Sequence, residues 1–148
     1  MPKSARQKKG VKRTAKPVPK KRARGVTQPA TADHASRNLA HLFAQLCHDK
    51  KGIEPVVLDL RKLSSFTDYF LICTGSSDRH VQAMADGLEE IAKQHGRRLS
   101  GSEGYTQGQW VLLDFGDVVA HIFQPDIRAF YDLDGLWRDA PRVKFKLT

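Results

Sequence analysis

Residues 109–123, QWVLLDFGDVVAHIF, decide the fold. Two runs of β-forming residues, Trp110–Phe115 and Val118–Phe123, flank Gly116-Asp117, a pair suited to a tight two-residue turn. Folded on that turn, Phe115 opposes Val118, Leu113 opposes Ala120 and Val111 opposes Ile122. That face is wholly apolar and belongs in a core. Alternation sends Trp110, Leu112, Asp114, Val119, His121 and Phe123 to the other face. Two aromatics, an imidazole and a carboxylate are too polar for an easy core and too aromatic for a plain solvated face. Two readings fit. The mixture is either a protein-contact patch of aromatic anchors with a few polar groups for register, or a face covered by the last helix through Tyr131 and Trp137.

Working outward, Pro55–Leu60 reads as a strand and Asp68–Thr74 as a second, buried one. Gly75-Ser76-Ser77 then turns the chain into a long helix, Asp78–His95. Val81, Met84, Ala85, Leu88, Ile91 and Ala92 form its apolar stripe, and Gly96 sits where a C-cap glycine belongs. Upstream, Asp33–Lys51 carries Leu39, Leu42, Phe43, Leu46 and Cys47 on one helical face and ends at Gly52. A short strand near Arg98–Ser100 and a polar loop through Gly108 lead into the hairpin, and Asp126–Trp137 offers one or two helical turns after Pro125. The order α-β-β-α-β-β-β-α predicts an α/β domain of the α+β kind, a mixed sheet with helices packed on it.

Charge divides the chain. Among 148 residues with formal charge +9, residues 1–30 hold eleven Lys and Arg and no acid, so the remainder is near neutral. The division predicts a disordered basic arm over 1–32, a folded domain over 33–141 and a tail over 142–148, because the arm has too little apolar surface to offset its chain entropy. Lys8, Lys9, Lys20, Lys21, Arg22 and Arg24 are the candidate RNA contacts, each able to neutralise a phosphate; a merely solubilising tail is the other reading. No apolar signal region or 18-residue apolar run is present. Two cysteines in apolar segments, Cys47 and Cys73, suit reduced thiols, and a cytoplasmic location is expected.

Catalysis finds little footing. A Gly-Ser at a strand-to-helix junction can bind phosphate through backbone N–H groups, as in nucleotidyltransferases. Such enzymes also need paired carboxylates to hold magnesium, and the segment after the helix offers Arg97, Arg98, Leu99 and Ser100 instead. His34, His41 and His48 lie seven apart, about 10 Å along a helix, too far to share a metal. Cys73 in an apolar strand should have a raised pKa and low reactivity. No catalytic residue, metal or cofactor is expected. His80 is left as a cap or a solvent-facing side chain.

Three segments, SSFTDYFLICTGSSDRHVQAMAD, SEGYTQGQWVLLDFGDVVAHIF and FYDLDGLWRDAP, resemble the ribosomal silencing factor (RsfS or Iojap) family, in order and at its spacing from about Asn38 to Pro141. The resemblance implies a nucleotidyltransferase-like fold without enzyme activity. It also implies docking on the large ribosomal subunit, on its ribosomal protein number fourteen, which blocks joining of the small subunit and represses translation under nutrient limitation. Trp110, Asp114, Gly116, Asp117, His121, Tyr131 and Trp137 fall on the family's recurrent positions. The candidate partner-binding set is therefore Trp110, Leu112, Asp114, His121, Phe123 and Tyr131. Gly135 stands where relatives carry a charged helix former, which suggests a kinked or shortened last helix. The basic arm lies outside the shared region. A metal-dependent nucleotidyltransferase and a general RNA-binding module remain as alternatives, and a homodimer of the free protein through the same face stays open.

Overall fold

In a computed structural model, which describes residues 30–148, the chain runs α1 (Ala30–Asp49), β1 (Ile53–Asp59), β2 (Tyr69–Thr74), α2 (Asp78–Gln94), β3 (Gly101–Glu103), β4 (Trp110–Asp114), β5 (Val118–Phe123), α3 (Pro125–Tyr131), α4 (Leu133–Leu136) and β6 (Arg142–Val143). The arm's Lys8, Lys9, Lys20, Lys21, Arg22 and Arg24 lie outside the described residues. The strands form one mixed sheet in the order β3-β4-β5-β2-β1-β6. Only the central pair, β2 with β5, is parallel among the described strands; the other neighbours are antiparallel.

The hairpin register is the expected one, with Val111 opposite Ile122 and Leu113 opposite Ala120. Gly116 takes φ +93° at the turn, which a side chain would resist. The apolar face enters a core beneath α1 and α2, where Val111, Leu113, Phe115, Val118, Ala120 and Ile122 meet Leu39, Phe43, Val81, Met84 and Leu88. α2 starts on Ser77, whose hydroxyl accepts from His80 N–H, and ends in a glycine cap: Gly96 N–H donates to the Lys93 carbonyl and Arg97 N–H to that of Ala92.

β2 is buried along its whole length, YFLICT. Tyr69, Leu71 and Cys73 face the α1–α2 core, while Phe70 and Ile72 face a second core with Leu58, Leu60, Val119 and Phe123. α3 and α4 cover that second core through Ile127, Leu133 and Trp137. Both faces of the sheet are therefore capped, which is why the central strand is a continuous apolar run.

α1 begins at Ala30, inside the stretch 1–32 read as an arm, and β1 at Ile53 rather than Pro55; three further boundaries depart from the sequence reading. β3 lies at Gly101–Glu103 rather than 98–100, because Arg97 is spent on the helix cap and pairing with β4 starts only where Ser100 N–H reaches the Asp114 carbonyl. The last helix is two, broken at Asp132, which adopts φ +45° and caps α4 by accepting from Gly135 N–H. The stretch 142–148 belongs to the domain. β6 pairs with Val57 and Leu58 of β1, Phe145 stacks on His41 with ring centroids 4.5 Å apart, and Thr148 N–H donates to Gln45. Alternating Val143, Phe145 and Leu147 pack on the first core, a period-two signal too short to stand out in the sequence.

Candidate functional site

The strand–helix junction at Thr74–Ser77 is filled by the chain's own atoms. Gly75 N–H donates to the Phe123 carbonyl at 2.8 Å, and Ser76 N–H to His80 Nδ1 at 2.9 Å. Arg79 N–H donates to Asp78 Oδ1, His80 N–H to Ser77 Oγ and Val81 N–H to the Ser77 carbonyl. His80 bridges: with Nδ1 accepting, its Nε2–H donates to the Lys50 carbonyl at 2.8 Å. Gly108 lies against the helix start so closely that a Cβ there would stand 2.7 Å from the Cβ of Asp78. Five of the backbone donors around the helix start, those of Gly75, Ser76, Arg79, His80 and Val81, are thus engaged within the chain.

The polar groups below the hairpin are equally committed. Asp117 accepts from Ser36 Oγ at 2.5 Å and from Arg97, tying the turn to α1 and to the end of α2. Asp114 Oδ1 accepts from Gly116 N–H at 2.8 Å, so this carboxylate shapes the turn. Cys47 and Cys73 are buried free thiols. The hydrogen bond between them and burial push Cys47 well above the ordinary thiol range, whereas the same bond lowers Cys73. The expected rise at Cys73 is thus corrected, yet the residue is fully enclosed.

On the mixed face, the structure separates residues that alternation grouped together. Phe123 is fully buried and His121 is 4% exposed. Trp110, Leu112 and Asp114 are half-buried, and Tyr131 is 41% exposed. Trp110 joins them: its Nε1 donates to His121 Nδ1 at 3.2 Å, and its ring lies 4.8 Å from that of Phe123 and 4.9 Å from that of Tyr131. With Nδ1 accepting, the neutral imidazole carries its proton on Nε2, which is buried without a partner among the described residues. Burial pushes its pKa down to about 3, only partly opposed by the Asp134 charge. His121 and Phe123 are therefore revised from contact residues to the floor of the patch, because α3 and α4 cover them.

The two most exposed large apolar side chains among the described residues stand on that cover. Phe130 is 79% and Leu136 73% exposed, and Phe130 packs edge-on against Tyr131 at 4.9 Å. Neither Phe130 nor Leu136 was in the sequence-derived set. A usable signal existed: Phe130 and Tyr131 are adjacent, about 100° apart on a helix, so a short helix cannot bury both. The exposed charges of Pro125–Ala140 are Asp126, Asp132 and Asp139 against Arg138, while Arg128 and Asp134 pair with each other.

The model of a family described as ribosomal silencing factor during starvation matches residues 33–148. The chain belongs to the ribosomal silencing factor family. It is 42% identical over 112 residues to ribosomal silencing factor RsfS of Halalkalibacterium halodurans, covering 76% of this chain and 96% of that protein. A crystal structure of a Chromobacterium violaceum protein aligns with TM-score 0.67 and 35% identity over 76% of this chain and 92% of the other. The mouse protein named mitochondrial assembly of ribosomal large subunit protein 1 is 31% identical over 127 residues, covering 82% of this chain and 56% of its own length. The matched region takes in the C-terminal stretch to Thr148, in keeping with its packing against α1. Among the described residues no helix is long and apolar enough to cross a membrane.

Proposed function

We propose that this protein docks on the large ribosomal subunit through the α3–α4 cover, on ribosomal protein number fourteen, and excludes the small subunit by occupying its place. The reading assigns no chemical step to the protein. The observation that carries it is the exposed pair Phe130 and Tyr131 beside half-buried Trp110, with Leu136 on the adjoining helix. Large apolar groups exposed on one covering segment mark a contact surface. The surrounding excess of carboxylates suits a basic protein surface and would repel an RNA backbone. Family membership and the large-subunit wording in the mouse relative's name support the choice of target. Contact of the basic arm with ribosomal RNA, a cytoplasmic location and dimerisation of the free protein belong to the same proposal.

The nucleotidyltransferase alternative meets a junction where Gly75, Ser76, His80 and Val81 N–H are occupied by the chain's own acceptors. The test is co-sedimentation with isolated subunits, followed by measurement of subunit joining. The protein should travel with large subunits and lower the yield of joined ribosomes. Tyr131→Ala should weaken binding by roughly 30- to 1,000-fold, the cost of truncating a buried interface aromatic. Sedimentation with small subunits alone, or binding indifferent to Tyr131 and Phe130, would overturn the reading.

A further inference from the structure

Arg128, in the last turn of α3, turns inward rather than toward solvent, its side chain only 12% exposed. Each of its three guanidinium nitrogens is engaged. Nε and Nη2 donate to the two oxygens of Asp134 at 3.2 and 2.9 Å. Nη1 donates to Thr74 Oγ1 at 2.9 Å and to the Glu54 carbonyl at 3.0 Å, with the Ile53 carbonyl at 3.4 Å. One side chain thus joins α3, α4, the end of β2 and the start of β1. That start is irregular. The β1 register shifts between Ile53 and Val56, and Glu54 holds φ +50°, a conformation costly for a residue with a Cβ.

Helices of seven and four residues have little stability of their own, and neither buries a residue completely. We infer that Arg128 is a positioning residue for docking: its fork onto Asp134, Thr74 and the β1 carbonyls holds α3 and α4 where Phe130, Tyr131 and Leu136 can meet the partner. The inference rests on the docking reading above. Lysine cannot reproduce the contact, since one ammonium replaces a planar fork reaching several acceptors. Affinity scales with the fraction of molecules in the competent arrangement, so a fall of that fraction to about a tenth weakens binding about tenfold.

The test compares full-length Arg128→Met, Arg128→Lys, Tyr131→Ala and Phe130→Ala by thermal melting, amide hydrogen exchange and affinity for isolated large subunits. Arg128→Met should keep protection in β2 and β5, exchange faster across α3 and α4, and bind about tenfold or more weakly. Arg128→Lys should fall between it and the unaltered protein. Tyr131→Ala should lose affinity with α3 protection intact, separating contact from positioning. If Arg128→Met binds normally while Tyr131→Ala does not, Arg128 does not position the surface. If Tyr131→Ala and Phe130→Ala also bind normally, the docking reading fails and carries this inference with it. Should Arg128→Met not fold, Thr74→Val, which removes one acceptor and leaves the ion pair, decides: a few-fold loss with faster α3 exchange supports the role, and unchanged binding overturns it.

Discussion

His121 packs among the rings of Phe70, Trp110 and Phe123, and its Nε2–H has no partner among the described residues. Its folded pKa of about 3 stands below the ordinary value of 6.5. A base held below its ordinary value binds fewer protons folded than unfolded, so acid favours the unfolded chain. The contribution is complete above about pH 6.5 and is lost as pH falls toward 3, with a limiting slope of about 1.4 kcal/mol per pH unit. Between pH 7 and pH 5 this residue should cost about 2 kcal/mol of stability. Asp59 and Asp134, whose arginine partners hold them below the usual carboxylate range against their desolvation, lose their contributions at lower pH. Urea unfolding at the two pH values should therefore show a steeper loss for the native protein than for His121→Gln, which still offers Trp110 an acceptor. Equal losses would place the imidazole in contact with water.

The hairpin makes the sharpest contrast between elements, because its two faces lie in two cores. Leu113→Asp buries an unpaired carboxylate between β4 and the α1–α2 layer and should cost about 3–5 kcal/mol or unfold the domain. Phe123→Ala, on the opposite face, should cost a similar 3–5 kcal/mol through the cavity it leaves. Tyr131→Ala, on the exposed cover, should melt within about 1 kcal/mol of the native protein while losing its partner. Denaturant midpoints for the three variants test this division; a Phe123→Ala midpoint matching that of Tyr131→Ala would mean the cover is open in solution. The loop before β4 is tight for another reason. Gly104 has φ +83°, and a Cβ would lie 2.0 Å from the Trp110 carbonyl oxygen, so Gly104→Ala must move the backbone and should lower the melting temperature by several degrees.

At the scale of the molecule, a near-neutral domain carries a run of eleven positive charges at one end. Both core clusters are built from Leu39 onward, so removing residues 1–29 should leave the melting temperature unchanged. Large-subunit binding should become less salt-dependent, the slope of log affinity against log salt shrinking by about 0.7–0.9 for each phosphate that the arm no longer neutralises. An unchanged slope would make the arm a bystander. Truncation after Pro141 should do the reverse: stability falls, since β6 and the Phe145–His41 stack tie the two ends of the domain together.

Period-two and period-3.6 patterns in the sequence determined the hairpin register, the burial of β2, the stripe of α2 and the sheet-with-helices class. Each follows from local geometry, in which side chains alternate or wind regardless of what they finally touch. The family, too, was legible in three motifs. Tertiary structure decided what alternation cannot carry: which of two faces meets solvent. Trp110, Leu112, His121 and Phe123 share one face of the hairpin, but α3 and α4 return over it through Ile127, Leu133 and Trp137. That return transfers exposure to Phe130 and Leu136. It depends on Arg128 meeting Thr74, 54 residues away in sequence, and on Asp134 closing the fork, an arrangement of segments that no local period brings together.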